Sequence, residues 1–165
     1  MIAPGACLGF SLEAKFLDEE GDAVGAIATL QRSAQDVDDR VPCLKEVVEI
    51  AARSRESEKL SEALDQIAKA GCSDDRECVE NLKFVAGVEQ GRGNLRRAFV
   101  FLKRAQDRDP EDDELMSAVA GQAARNGMHA EALERYERLA RRHPENSTWR
   151  EACEKEKRAL LEIPR

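Results

Sequence analysis

An all-α repeat array is the fold class this sequence predicts, and three observations carry the prediction. The first is punctuation: Gly93 and Gly127, Ala98 and Ala132, and Pro110 and Pro144 each stand 34 residues apart. Laying residues 79–112 over 113–146 gives ten identities in 34 columns, a self-similarity at the period of a helix–turn–helix repeat. The second is composition. Charged residues make up 36% and aromatic residues 4%, with Ala, Leu, Glu, Arg and Lys dominant, so helix formers fill almost every window. The third is periodicity, because apolar residues recur at helical spacing on both sides of the repeated glycine.

The first repeat, about 7–41, is degenerate. A short first helix from about Ser11 carries Phe16 and Leu17, Gly21-Asp22 makes the turn, and Ala26, Ile27 and Leu30 mark the second helix. In the next, about 44–77, Val47, Ile50 and Ala51 precede Ala63, Leu64, Ile67 and Ala70, and Glu58 falls where the turn glycine is expected. In the third, 79–112, Leu82, Val85, Ala86 and Glu89 lead to a turn at Gly91 and Gly93. Leu95, Ala98, Phe99, Leu102 and Ala105 then form a one-sided stripe. Asn94 is the expected N-cap, and Asp109-Pro110 ends the helix. Val100 and Phe101 fall off this stripe and are expected to pack beneath the neighbouring repeat, the alternative being an apolar patch on the outer face.

The fourth repeat, 113–146, follows the same plan, with Met116, Val119, Ala120 and Ala123 before Gly127 and Ala132, Leu133, Tyr136, Leu139 and Ala140 after it. Thr148 and Glu151 have capping-box spacing for a last helix over about 148–162, ending before Pro164. Trp149, Cys153 and Leu160 lie on one of its sides and Glu154, Lys157 and Arg158 on the other, as suits a helix that covers the end of an array.

Charge is distributed unevenly. Residues 1–77 carry 9 basic and 17 acidic side chains, and residues 78–165 carry 17 and 16, within a formal net charge of −7. An acidic balance repels phosphate backbones, so nucleic acid is not an expected partner. No apolar run approaches the length of a membrane span. The opening MIAPGACLGF has no basic start, although Gly5-Ala6-Cys7 is similar to the end of a bacterial lipoprotein cleavage box. The compartment stays open between the cytoplasm and, if cysteines are paired or an upstream segment has been removed, the periplasm or envelope.

The repeated columns resemble the tetratricopeptide repeat. Small residues in the first helix (Ala51, Ala86, Ala120), a turn glycine (Gly21, Gly93, Gly127), an alanine in the second helix (Ala26, Ala63, Ala98, Ala132) and a closing proline (Pro110, Pro144) carry the likeness. Alanine and glycine let two helices cross closely, and Tyr136 fills the space beside the crossing. The resemblance implies a right-handed superhelical array of antiparallel helix pairs, completed by a C-terminal capping helix. The related 35-residue repeat that reads single-stranded RNA would need a basic groove, which the acidic balance disfavours.

The resemblance also implies a protein or peptide partner, held in the groove that the first helices line. Carried over by column, that groove consists of Val48, Glu49, Ala52 and Arg55, then Lys83, Phe84, Gly87 and Gln90, then Ser117, Ala118, Gly121 and Arg125. Ala52, Gly87 and Gly121 share a column, as a channel for a ligand backbone or as a means to tight helix packing. Phe84 is the candidate apolar anchor, with core burial as its alternative. The carboxylate clamp of one subgroup is not expected: Ser11, Lys15, Glu49, Glu80 and Phe84 hold its columns, and only Lys15 fits. The competing function class is a structural module that stacks with itself, or with further repeats of a longer chain, through its degenerate N-terminal end.

Among the five cysteines, Cys43, Cys72 and Cys78 lie where a disulfide among them is geometrically feasible, with reduced cysteines as the alternative. Their spacing does not suit zinc, and His129 and His143 are too isolated to complete a site. Asp36-Val37-Asp38-Asp39 and Asp107-Arg108-Asp109-Pro110 lack the glycine of a calcium loop. No nucleophile elbow, phosphate loop or metalloprotease helix occurs, so neither cofactor nor catalysis is expected.

Overall fold

A computed structural model describes residues 6–37, 39–70, 72 and 74–162, with side chains from Ser11 onward. The Gly5-Ala6-Cys7 step and Pro164 therefore lie outside what is described in full. Among the described residues the chain is all α-helix: α1 (Ala6–Glu19), α2 (Ala23–Asp36), α3 (Val41–Ser54), α4 (Ser57–Lys69), α5 (Asp75–Gly91), α6 (Leu95–Arg108), α7 (Asp113–Arg125), α8 (His129–Arg142) and α9 (Ser147–Glu162). Two compact units form, Met1–Gly71 with α1 to α4 and Cys72–Arg165 with α5 to α9.

Each unit is built from helical hairpins, and one backbone device closes all four. A left-handed residue follows the first helix: Gly21 (φ 86°), Arg55 (φ 62°), Gly93 (φ 79°) and Gly127 (φ 75°). The next amide then returns to the carbonyl five residues earlier, Asp22 to Leu17 at 2.8 Å and Glu56 to Ala51, Asn94 to Glu89 and Met128 to Ala123 at 2.9 Å. This closure satisfies helix carbonyls that would otherwise be orphaned, and three of the four positions use the residue without a Cβ.

Local boundaries depart from the sequence reading at several places. The second hairpin turns at Arg55, not at Glu58; measured from the buried alanine of each helix, α3 ends two residues sooner than the other first helices and α4 starts three residues sooner than the other second helices. Helix α1 begins at Ala6, earlier than Ser11. Asn94 makes no side-chain cap; its Nδ2 donates instead to Glu89 Oε2 at 2.6 Å. Glu89 is fully buried and also pairs with Arg97 Nε at 3.1 Å, so this carboxylate outcompetes the helix end for the amide. At α9 the cap is Asn146, whose Oδ1 accepts from the Thr148 amide at 3.0 Å, and the Thr148–Glu151 capping box does not form.

In the first unit, α1 and α2 pair, α3 and α4 pair, and α2 lies on α3. Ala14, Ala26 and Ala51 are fully buried at the crossings, with Ile27, Leu30, Leu44, Val47, Leu64 and Ile67 filling the core. Ser11 Oγ donates to Glu46 Oε2 at 2.5 Å, tying α1 to α3.

In the second unit, α6 lies on α7 and α8 on α9. Phe99, Val119, Ala123 and Ala132 form a core against which Leu102, Met128 and Tyr136 pack. Asp74 and Asp112 cap α5 and α7 by accepting the Glu77 and Leu115 amides at 2.8 and 3.0 Å. Phe101 is buried, with the Arg97 and Arg104 guanidinium carbons each 5.8 Å from its ring centroid. Val100, expected to pack with it, is 53% exposed: of these two residues only Phe101 faces inward.

Candidate binding groove

The twelve groove candidates divide between the two units. In the first, Glu49 and Ala52 are exposed on α3. Val48 is 3% exposed and belongs to the core, and Arg55 is the left-handed turn residue, so neither lines a face of α3. Helical periodicity places Val48 inward, and the early end of α3 removes Arg55 from the helix.

The other eight lie in the second unit. On α5, Lys83, Phe84 and Gln90 are half-buried and Gly87 is exposed; on α7, Ser117 and Gly121 are half-buried and Ala118 and Arg125 are exposed. Arg125 Nη1 donates to Gln122 Oε1 at 3.1 Å. The two glycines sit in different surroundings. A Cβ built at Gly121 would stand 3.6 Å from the Tyr136 hydroxyl, in ordinary contact. A Cβ at Gly87 would meet nothing within 4 Å. Packing within the chain therefore does not require glycine at 87, although glycine in a helix interior costs roughly 0.5–1 kcal/mol relative to alanine.

Charge on this face is arranged around Lys83. Its Nζ lies 3.2 Å from Glu80 Oε1, and the hydrogen bond to Glu80 holds the ammonium above its usual range, assisted by the charges of Glu114 and Asp112 at the start of α7. Glu80 and Glu114 occupy the same column of adjacent repeats, so Phe84 stands beside an acidic rim with one lysine in it. The sequence reading passed over this rim, though both glutamates appear among the repeat identities. It also missed Tyr136 as the neighbour of Gly121. The Tyr136 ring stacks on Trp149 with centroids 6.2 Å apart, and burial pushes its phenol upward.

Cys72 and Cys78 are joined by a disulfide with Cα atoms 5.4 Å apart, fastening the segment before α5 to its first turn. Cys43 is also disulfide-bonded, whereas Cys153 is a buried free thiol. Among the described residues, no group of three or more His, Cys, Asp or Glu is placed to hold a metal, and no helix is long and apolar enough to cross a membrane.

No protein-family model matches the chain, and no curated protein matches it in sequence. Solved structures do match. The crystal structure of MamA superposes with a TM-score of 0.59 at 14% identity, covering 96% of this chain and 84% of that one. A putative kinesin light chain of Podosopora anserina with nearly identical TPR-like repeats gives 0.60 at 15% identity, covering 97% and 89%. YrrB, described as a TPR protein with an unusual peptide-binding site, gives 0.54 at 14% identity, covering 87% and 72%. The fold is that of the tetratricopeptide repeat. At these identities the likeness establishes architecture, and the tetratricopeptide array here departs from its own pattern at Arg55.

Proposed function

We propose that this tetratricopeptide array is a non-catalytic protein-interaction scaffold, and that the face formed by α5 and α7 holds a peptide or partner helix. The observation that carries the reading is Gly87: a mid-helix glycine with open space above it, one turn from half-buried Phe84. Its backbone is accessible to close approach by a ligand main chain, and internal packing gives it no other employment. Phe84 supplies an apolar anchor, and Glu80 and Glu114 supply acceptors for a basic group on the ligand. The peptide-binding site named for YrrB lends support by analogy of fold.

Affinity capture from native extract with the wild-type chain and with Phe84→Glu tests this. Partners retained by wild type and lost by a variant of unchanged helix content locate binding on α5. Identical partners on both chains would remove the face from consideration.

A further inference from the structure

Helix α9 stands to α8 as α7 stands to α6. Gln122 of α7 donates through Nε2 to the carbonyl of Leu95, the first residue of α6, at 3.0 Å. One repeat length later, Glu156 of α9 reaches His129, the first residue of α8, with Oε2 2.7 Å from Nδ1. The last helix is therefore placed as the first helix of a further hairpin, and the trough it makes with α8 is the counterpart of the trough between α6 and α7.

That earlier trough is where α8 itself sits. Lys103 and Gln106 of α6 reach Glu131 and Arg135 of α8 at 3.5 and 3.0 Å, and Val119 and Ala123 of α7 pack with Ala132. The positions 34 residues on are Glu137, Ala140, Cys153 and Lys157, and all four line an open cleft of about 600 Å³ between α8 and α9. A cleft of this shape, repeated from a place already filled by a helix, is a helix seat. Its floor is Ala140 and the buried Cys153; its rim holds Glu137 and Glu154, both paired with Lys157 at 3.9 and 3.2 Å, and Arg141 and Arg150, neither with an ion-pair partner among the described residues.

The chain carries an unpartnered helix face that suits the seat. On α1, Ala14 points inward and is fully buried, whereas Leu12 and Phe16, one turn apart on the outer side, are 73% and 62% exposed. Phe16 is flanked along the helix by Glu13 and Glu19, both exposed carboxylates without an ion-pair partner among the described residues. Apolar surface left outward on the first helix, edged with unpaired carboxylates, complements an apolar floor whose unpaired rim charges are the two arginines. Helix lengths also agree, since α1 and α8 have 14 residues each. The wider charge distribution points the same way, with residues 1–77 carrying 9 basic against 17 acidic side chains and residues 78–165 carrying 17 against 16.

We infer that the α8–α9 cleft receives the outer face of α1 from a second copy of this chain. The contact is heterologous: each copy offers one surface and accepts with another, so association propagates instead of stopping at a symmetric pair. It uses neither Phe84 nor Gly87 and stands apart from the partner-binding face.

Sedimentation velocity on the full chain over a range of concentrations tests the inference with two single-ended variants. Phe16→Glu spoils α1 and leaves the cleft; Ala140→Glu spoils the cleft and leaves α1. Wild type is expected to sediment faster as concentration rises, and each variant alone to stay at the monomer value. An equimolar mixture of the two is expected to give a dimer and nothing larger, because only one productive contact remains. Should Ala140→Glu lose helix content by circular dichroism, exposed Arg150→Glu takes its place. A wild type that is monomeric throughout, a single variant that still assembles, or a mixture of two folded variants that stays monomeric would each overturn the inference.

Discussion

Glu156 Oε2 lies 2.7 Å from His129 Nδ1, and this pair repeats, 34 residues on, the bond from Gln122 Nε2 to the Leu95 carbonyl. A buried polar group on one first helix thus fixes the start of the preceding second helix in two successive repeats. Glu156 is 2% exposed and Gln122 fully buried, so each depends on that partner. His129→Ala is expected to leave the Glu156 carboxylate stranded and to cost about 1–3 kcal/mol. Glu156→Gln keeps a group able to reach His129, restores the residue type found at 122, and is expected to cost less than about 1 kcal/mol. Urea unfolding followed by circular dichroism separates the two; equal destabilisation would show that the pair does not lock α9 in place.

Arg55 is the one left-handed residue with a side chain among the described residues, at φ 62°. A residue with a Cβ is strained there by roughly 1–2 kcal/mol, and the three equivalent turns use glycine. Arg55→Gly relieves that strain while adding freedom to the unfolded chain, which offsets roughly 0.5–1 kcal/mol. The expected net effect is stabilisation of about 0.5–1 kcal/mol, read as a higher urea midpoint at unchanged slope. The mirror change, Gly127→Ala, is expected to destabilise by about 1 kcal/mol. A lower midpoint for Arg55→Gly would mean that the guanidinium contributes more than its backbone costs.

The helical class, the period and most of the core were legible because each rests on local spacing. Ala51, Ala86 and Ala120 fall in one column and all are buried. The turn at Arg55 was not legible, because no side chain announces a left-handed backbone as glycine does. Asn94 does occupy the N-cap position of α6, but where its side chain bonds was not legible, for a different reason. Its preference for a helix start lost to Glu89, a carboxylate that burial leaves in need of donors, and burial is settled only when α5 and α6 meet. On the candidate face, Lys83, Phe84 and Gly87 could be named by column, but the open space over Gly87 and the Tyr136 hydroxyl near Gly121 depend on how neighbouring helices pack.

His143 Nε2 lies 2.5 Å from Asp113 Oδ2, joining the end of α8 to the start of α7. The hydrogen bond with Asp113 raises the imidazole above its usual value, and the bonds from His143 and Arg142 hold the Asp113 carboxyl below the usual range. A raised histidine contributes stability that is fully present below its unfolded pKa, about 6.5, and is lost as pH rises through the folded value. A depressed aspartate contributes stability present above about 3.9 and lost as pH falls through its own folded value. The pair is thus strongest between those two limits. The His143 ring protons, followed by NMR, are expected to titrate above pH 6.5 in wild type and to move back towards it in Asp113→Asn. An unchanged midpoint in that variant would assign the shift to Glu145, 3.6 Å away.

Gly87 separates a structural from a recognition role because the two predict opposite outcomes for one substitution. If the glycine served close helix packing, a Cβ there would collide and Gly87→Ala would destabilise. No heavy atom lies within 4 Å of that Cβ, so the methyl group enters open space and the helix gains propensity. The expected result is stabilisation by roughly 0.5–1 kcal/mol, seen in the urea midpoint. Recognition should move the other way. A methyl group on the surface where a ligand main chain approaches holds that chain off, so partner retention in the capture experiment should fall although the protein is more stable. Ala130→Ser, exposed on α8 and outside the proposed face, adds a single oxygen and serves as the comparison of similar size. A Gly87→Ala chain that is both more stable and fully competent for its partner would separate the open space over α5 from binding altogether.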